Sequence, residues 1–189
     1  MVTDEIISQL RALGSATKAA DLARFFKTGP GQYGEGDLFL GVPVPDVRRV
    51  ARTHQANTRP DDVRLLLESP LHEVRLCGLL ILVEQYERAK SPAVRAAVAD
   101  SYESLRHRIN NWDLVDLTAY KILGRETYTS NDADRLRTLS ASPRMWDKRI
   151  AIVATMYWLR QGHTDLTFEL VLRNLTHPHD LMHKANGWL

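Results

Sequence analysis

The sequence holds one cysteine, Cys77. That excludes an internal disulfide framework and any cysteine-based zinc site. Glycine and proline number 10 and 8, too few for a collagen-like or low-complexity chain. Aromatic residues make up only 7%. No long apolar run is present. The stretch Leu79-Leu80-Ile81-Leu82-Val83 falls far short of the roughly 20 residues that span a bilayer. The acidic opening, MVTDEIISQL, has no apolar core of a signal peptide. A cytoplasmic protein with no membrane association is therefore expected. Nor does either sign of charge dominate: 25 Lys and Arg face 23 Asp and Glu, a net charge of +2. A nucleic-acid partner must then be argued from the placement of charges rather than from their sum.

What is present is ordinary globular composition, 44% hydrophobic and 25% charged over 189 residues, which excludes intrinsic disorder. Apolar residues recur at helical spacing. Residues 4–27 read as one helix interrupted at Gly14, and Gly29-Pro30-Gly31 stops it. Residues 29–45 form a Gly/Pro-rich loop, and a short helix starts at Pro45-Asp46. From residue 60 onward only helices are expected: from Pro60, from Leu71 to Glu87, Pro92 to His107, Asn110 to Gly124, Asn131 to Leu139, Met145 to Gly162 and Asp165 to Leu175. Sustained alternation of apolar and polar residues is missing, so few or no strands are expected.

The chain repeats itself. HEVRLCGLLILVEQYER from His72, RINNWDLVDLTAYKILG from Arg108, RMWDKRIAIVATMYWLR from Arg144 and DLMHKANGWL from Asp180 start 36 residues apart. In this register Arg75, Asn111, Asp147 and His183 coincide, with Trp112, Lys148 and Lys184 one residue on. Pro70, Pro143 and Pro178 precede three of these helices. The expected fold is all-α: a HEAT-like α-solenoid of stacked antiparallel helix pairs with a concave basic face, because no pair of this length buries its apolar side alone. It forms a single domain, 1–189, with N-terminal helices and loop in 1–59 and repeats in 60–189, the last of them cut short at Leu189. The second helices line one wall, where Arg75, Trp112, Lys148, Arg149 and Lys184 share a face.

On that wall, Trp112 and Asp116 lie four residues apart, one turn along a helix. The next repeat adds Trp146, Lys148 and Arg149, and the last adds Lys184 and Trp188, again four apart. Periodicity alone leaves the tryptophans equally open to a core role. An aspartate at mid-helix is harder to explain, being a poor helix former and costly to bury.

Five stretches carry a resemblance: FFKTGPGQYGEGDLFLGVPVPDVRRVAR (Phe25 to Arg52), EVRLCGLLIL (Glu73 to Leu82), NNWDLVD (Asn110 to Asp116), WDKRIAIV (Trp146 to Val153) and HKANGWL (His183 to Leu189). With these, the chain resembles the AlkD-like DNA alkylation repair family along nearly its whole length. The resemblance implies a HEAT-like solenoid that binds duplex DNA and works as a monofunctional glycosylase of base excision repair. Cationic alkylated purines such as 3-methyladenine and 7-methylguanine would be released by hydrolysis of the N-glycosidic bond, without a base-flipping pocket. Asp116 and Trp112 match the family's aspartate and tryptophan, Arg149 its phosphate-contacting arginine, and Trp188 its second tryptophan. Lys148, Lys184, Arg75, Lys27 and His183 are expected to contact DNA. No cofactor or metal is expected, and the protein is expected to be a monomer of bacterial type, associated with the nucleoid. Two alternatives stay open: a non-catalytic HEAT-repeat protein that binds damaged or branched DNA, and a protein-interaction scaffold.

Other signals carry less. Gly29-Pro-Gly31-Gln-Tyr-Gly34 fits G-x-G-x-x-G, but a helix precedes it and a Pro-rich loop follows, unlike a dinucleotide site. His179 and His183 are spaced like a metal-binding pair but lack a third ligand. Cys77 reads as a small core residue. Asp113 is read as structural, being turned about 300° from Asp116 around a helix.

Overall fold

A computed structural model describes residues 1–189, and all of its regular elements are helical. These are α1 (Val2–Ala12), α2 (Ala16–Phe25), α3 (Val44–His54), α4 (Pro60–Leu67), α5 (His72–Arg88), α6 (Pro92–Ser104), α7 (Trp112–Asp116), α8 (Arg125–Thr129), α9 (Ala133–Ser140), α10 (Met145–Arg160), α11 (Asp165–Arg173) and α12 (Asp180–Trp188). A π-helical turn, Tyr120–Gly124, links α7 to α8. Strand pairing is limited to one bridge, between Leu38 and Leu71. None of the helices is long and apolar enough to cross a membrane.

Local chemistry explains the helix starts. Ser15 caps α2 by accepting from the Lys18 amide at 3.4 Å. Ser91 caps α6 and Asp132 caps α9 in the same way, and prolines occupy the first turns of α3, α4 and α6, where no amide is needed. The helix expected over 4–27 is two helices. Ser15 restarts the chain after Gly14, and its own amide donates to the Leu40 carbonyl at 2.9 Å.

The chain forms two compact units. The first comprises Met1–Val94 and Ser101–Arg108, the second Arg95–Asp100 and Ile109–Leu189. In the first, α3 and α4 pack on α5, whose residues His72 to Val83 are buried without a break. A stripe buried on all sides explains the absence of polar alternation along α5. Glu73 of α5 holds the Gly/Pro-rich loop in place: its carboxylate accepts the amides of Leu40, Gly41 and Val42 at 2.9, 2.8 and 3.2 Å.

In the second unit α10 is central, packed by α9, α11, α12 and the α7–α8 segment. The α7–α8 segment runs alongside α10. Asp116 meets Arg149, Gly124 meets Ala154 and the Trp158 indole N–H donates to Thr127 Oγ1 at 3.2 Å. Partner numbers rise together along both segments, so the two are parallel, as successive repeats require. Counted from the helix caps Asn111 and Arg144, Asp116 and Arg149 occupy the same position, five residues in. The expected register, with Asn111 beside Asp147, is therefore three residues out for α7. The short helical turn Arg106–Arg108 takes up chain before Asn111 caps α7.

The close approach at Gly124 is specific. A β-carbon there would collide with the Ala154 carbonyl. Gly124→Ala removes a poor helix former, worth about 1 kcal/mol in an open helix. Here it is expected to destabilise instead, by about 1–3 kcal/mol through overpacking. A melting temperature lowered by several degrees in calorimetry checks this; an unchanged or raised one refutes it.

Candidate functional site

The second unit gathers a carboxylate, a guanidinium and a backbone carbonyl. Arg149 Nε donates to Asp116 Oδ1 at 3.0 Å, and its Nη2 donates to Oδ2 at 2.7 Å. Arg149 Nη1 donates to the Leu181 carbonyl of α12. The side chains differ in exposure: 6% for Arg149 and 16% for Asp116. The guanidinium is sealed in, and the carboxylate is the part that solvent, or a substrate, reaches. A carboxylate has about four lone-pair sites. Arg149 uses two, so acceptor capacity remains at the exposed edge.

Burial pushes the Asp116 carboxyl above the ordinary aspartate value of 3.8; the Arg149 hydrogen bonds and charge oppose this shift, and the nearby Asp113 carboxylate adds to it. Asp113 is itself buried. A turn of 300° in one direction is 60° in the other, so residues three apart on a helix are neighbours. Asp113 thus lies on the side of Asp116 and acts on it as a like charge, a correction to its expected remoteness.

Trp112 is half-buried in the first turn of α7, where its backbone amide donates to Asn111 Oδ1 at 2.8 Å. Asp116 is one turn further along the same helix. Trp188, near the end of α12, is exposed. Lys148 Nζ contacts the Ser140 carbonyl at 3.4 Å and Asn174 Oδ1 at 3.3 Å. Lys184 is exposed and paired with Asp180 at 2.7 Å, and His183 is exposed on the same helix.

Two expected site residues lie in the first unit. Lys27 is exposed, at the end of α2, with a left-handed φ of 52°. Arg75 is not on a ligand-facing wall. Its side chain is 2% exposed, and it donates to Asp37 Oδ1 at 2.7 Å and to the Ser69 carbonyl at 3.2 Å. His72 Nδ1 stands 3.0 Å from Asp37 Oδ2, and the His72 ring stacks on Phe39. Burial alone would raise the Asp37 carboxyl; the His72 hydrogen bond and Arg75 outweigh it and hold the group below its ordinary value. This network ties the loop to α5. Arg149, expected at a phosphate, likewise spends its guanidinium inside the protein. No group of histidine, cysteine and carboxylate side chains could hold a metal ion.

Sequence reasoning missed two participants: Asp113, through the misread angle, and Leu181, whose contribution is a main-chain carbonyl. The Tyr120–Gly124 π turn also went unforeseen. Such turns recur at functional sites, and this one begins four residues beyond Asp116.

An all-helical chain of packed helix pairs, with a half-open carboxylate backed by a buried arginine, is the class of protein defined here. The chain belongs to the DNA alkylation repair enzyme family, whose model matches residues 6–189. That membership places it in the repair of alkylated DNA. Among solved structures, it is similar to a predicted DNA alkylation repair enzyme from Enterococcus faecalis, at 16% identity and a TM-score of 0.65, over 93% of this chain and 80% of the other. At that identity the likeness concerns the fold. A comparison with curated proteins finds no match.

Proposed function

We propose that this protein is a monofunctional DNA glycosylase that hydrolyses the N-glycosidic bond of cationic N3- and N7-alkylated purines in duplex DNA. The observation that carries the reading is the Asp116 carboxylate, held at both oxygens by Arg149 and open at its remaining edge. An alkylated purine already bears positive charge and leaves without a general acid. The charge that develops is on the deoxyribose ring. A carboxylate aimed at that ring stabilises it and orients the attacking water. Arg149 fixes the carboxylate's direction beforehand, so the site need not reorganise as the bond breaks. Trp112 and Trp188 supply indole faces for a cationic nucleotide, each worth about 0.5–2 kcal/mol by cation–π attraction. Lys148, Lys184, Lys27 and His183 supply contacts to the phosphodiester strand, which position without reading sequence.

Duplex DNA carrying 7-methylguanine tests the reading. Base release measured chromatographically is expected from the wild-type chain and not from Asp116→Asn; equal release by both refutes it. A second reading, a non-catalytic protein that binds damaged or branched DNA, draws on the same ion pair, because Arg149 offsets much of the carboxylate's charge. It predicts salt-dependent binding without release.

The working form of Asp116 is the carboxylate, present above its pKa and lost as pH falls through it. Because burial raises that pKa, the acid limb of enzymatic release is expected above the ordinary aspartate range. Rates measured from about pH 4 to 8, with spontaneous depurination subtracted, check this. An acid limb at or below the ordinary value contradicts it.

A further inference from the structure

Three helices are entered through the same turn. Ser69 Oγ accepts the Leu71 amide at 3.1 Å, and Ser142 Oγ accepts the Arg144 amide at 3.2 Å. His177 Nδ1 accepts the His179 amide at 3.1 Å. A proline follows each acceptor. Serine is sufficient in two of the three turns. In the third, a histidine closes the turn with Nδ1, which places the proton of the neutral ring on Nε2 and directs it away from the backbone. The turn accounts for one edge of this ring and not for the other.

The surroundings of the His177 ring are cationic. Lys148 reaches in from α10 and bonds Asn174 Oδ1 at 3.3 Å, and the Asn174 carbonyl accepts the His177 amide at 3.2 Å. Burial first, then the charges of Lys148, His179 and His183, hold His177 below the ordinary imidazole value of 6.5, and no carboxylate is among the groups acting on it. The carboxylate of Asp180, on α12, is engaged by Lys184 at 2.7 Å. A half-buried N–H donor among positive groups with no opposing acid suits an anion with several acceptor oxygens.

We propose that His177, through Nε2–H, grips a backbone phosphate of the DNA strand together with Lys148 and His183. The proposal rests on the reading that this chain acts on DNA. It also connects the grip to the carboxylate. His179 Nδ1 accepts the Leu181 amide at 3.1 Å, Leu181 gives its carbonyl to Arg149, and Arg149 holds Asp116. A phosphate held at this turn steadies the helix start on which Arg149 leans. His177 is a positioning residue.

His177→Ser in the whole chain is the test, because serine supplies the acceptor already used at Ser69 and Ser142 and lacks only the outward N–H. Affinity for an undamaged duplex, followed by fluorescence anisotropy at one salt concentration, is expected to fall about tenfold. The melting temperature is expected to stay, and in base release KM rises while kcat falls by a smaller factor, as the helix start behind Arg149 loses its steadying contact. Affinity equal to wild type overturns the proposal. Should the variant melt early, the imidazole nitrogen spectrum of the wild-type chain decides: a shift of His177 Nε2 on adding duplex supports the grip, and an unmoved resonance overturns it. If the wild-type chain binds no duplex at all, the DNA reading fails by itself. Inorganic phosphate is then the probe, a His177 shift retaining an anion site and its absence removing it.

Discussion

Asp116→Asn is expected to lower base release from 7-methylguanine duplex by two to three orders of magnitude, the usual cost of removing one preorganised electrostatic group from a transition state. Asparagine keeps the shape and one carbonyl acceptor but not the charge that answers a cationic sugar. The variant also leaves Arg149 buried without its counter-charge. Breaking a buried pair typically costs roughly 3–5 kcal/mol. With asparagine at the low end, the melting temperature should fall by about 6–12 °C for a chain of this size. Duplex affinity measured well below that temperature should stay near wild type, since no phosphate contact is removed. Release within a few-fold of wild type would end the assignment of Asp116.

Arg149→Met is expected to have the largest effect on stability, roughly 3–5 kcal/mol, because it strands the Asp116 carboxylate in a buried setting. Its effect on release should run through Asp116. Without the opposing guanidinium, burial raises the carboxyl further, so the acid limb moves to higher pH. The rate at its plateau should fall by about one to two orders of magnitude as the carboxylate loses its fixed direction. Arg149→Lys restores charge but not the two-point contact, and should recover stability only in part. If Arg149 instead served chiefly as a phosphate contact, lysine would restore duplex affinity and the acid limb would not move. A pH profile of all three proteins separates the two roles.

The parts of the fold legible in the sequence are those set by local pattern. Helix-period apolar residues and helix-starting prolines announced nearly every helix, and the repeated Pro70, Pro143 and Pro178 marked three equivalent turns. The split at Gly14 was under-read, because the amide of Ser15 is satisfied by Leu40, a residue far along the chain. Asp116 was conspicuous because a mid-helix aspartate beside a tryptophan has no local reason to be there. The register of α7 was not legible. A perfect 36-residue spacing aligned Asn111 with Asp147, whereas the turn at Arg106–Arg108 shifts α7 and brings Asp116 level with Arg149. A repeat period counts residues along the chain, and pairing between helices depends on where each one starts.

The order of helices, the repeat and the candidacy of Asp116 and Trp112 follow from the sequence by itself, since propensity, capping and periodicity act over a few residues and need no distant partner. Which arginine stays in solvent and which is buried was decided by tertiary structure alone. Arg75 and Arg149 both looked like surface cations on a wall, and both end inside the protein, one against Asp37 and one against Asp116. A buried charge needs a partner aimed at it, and that partner comes from another segment of the chain, at a separation that only packing sets.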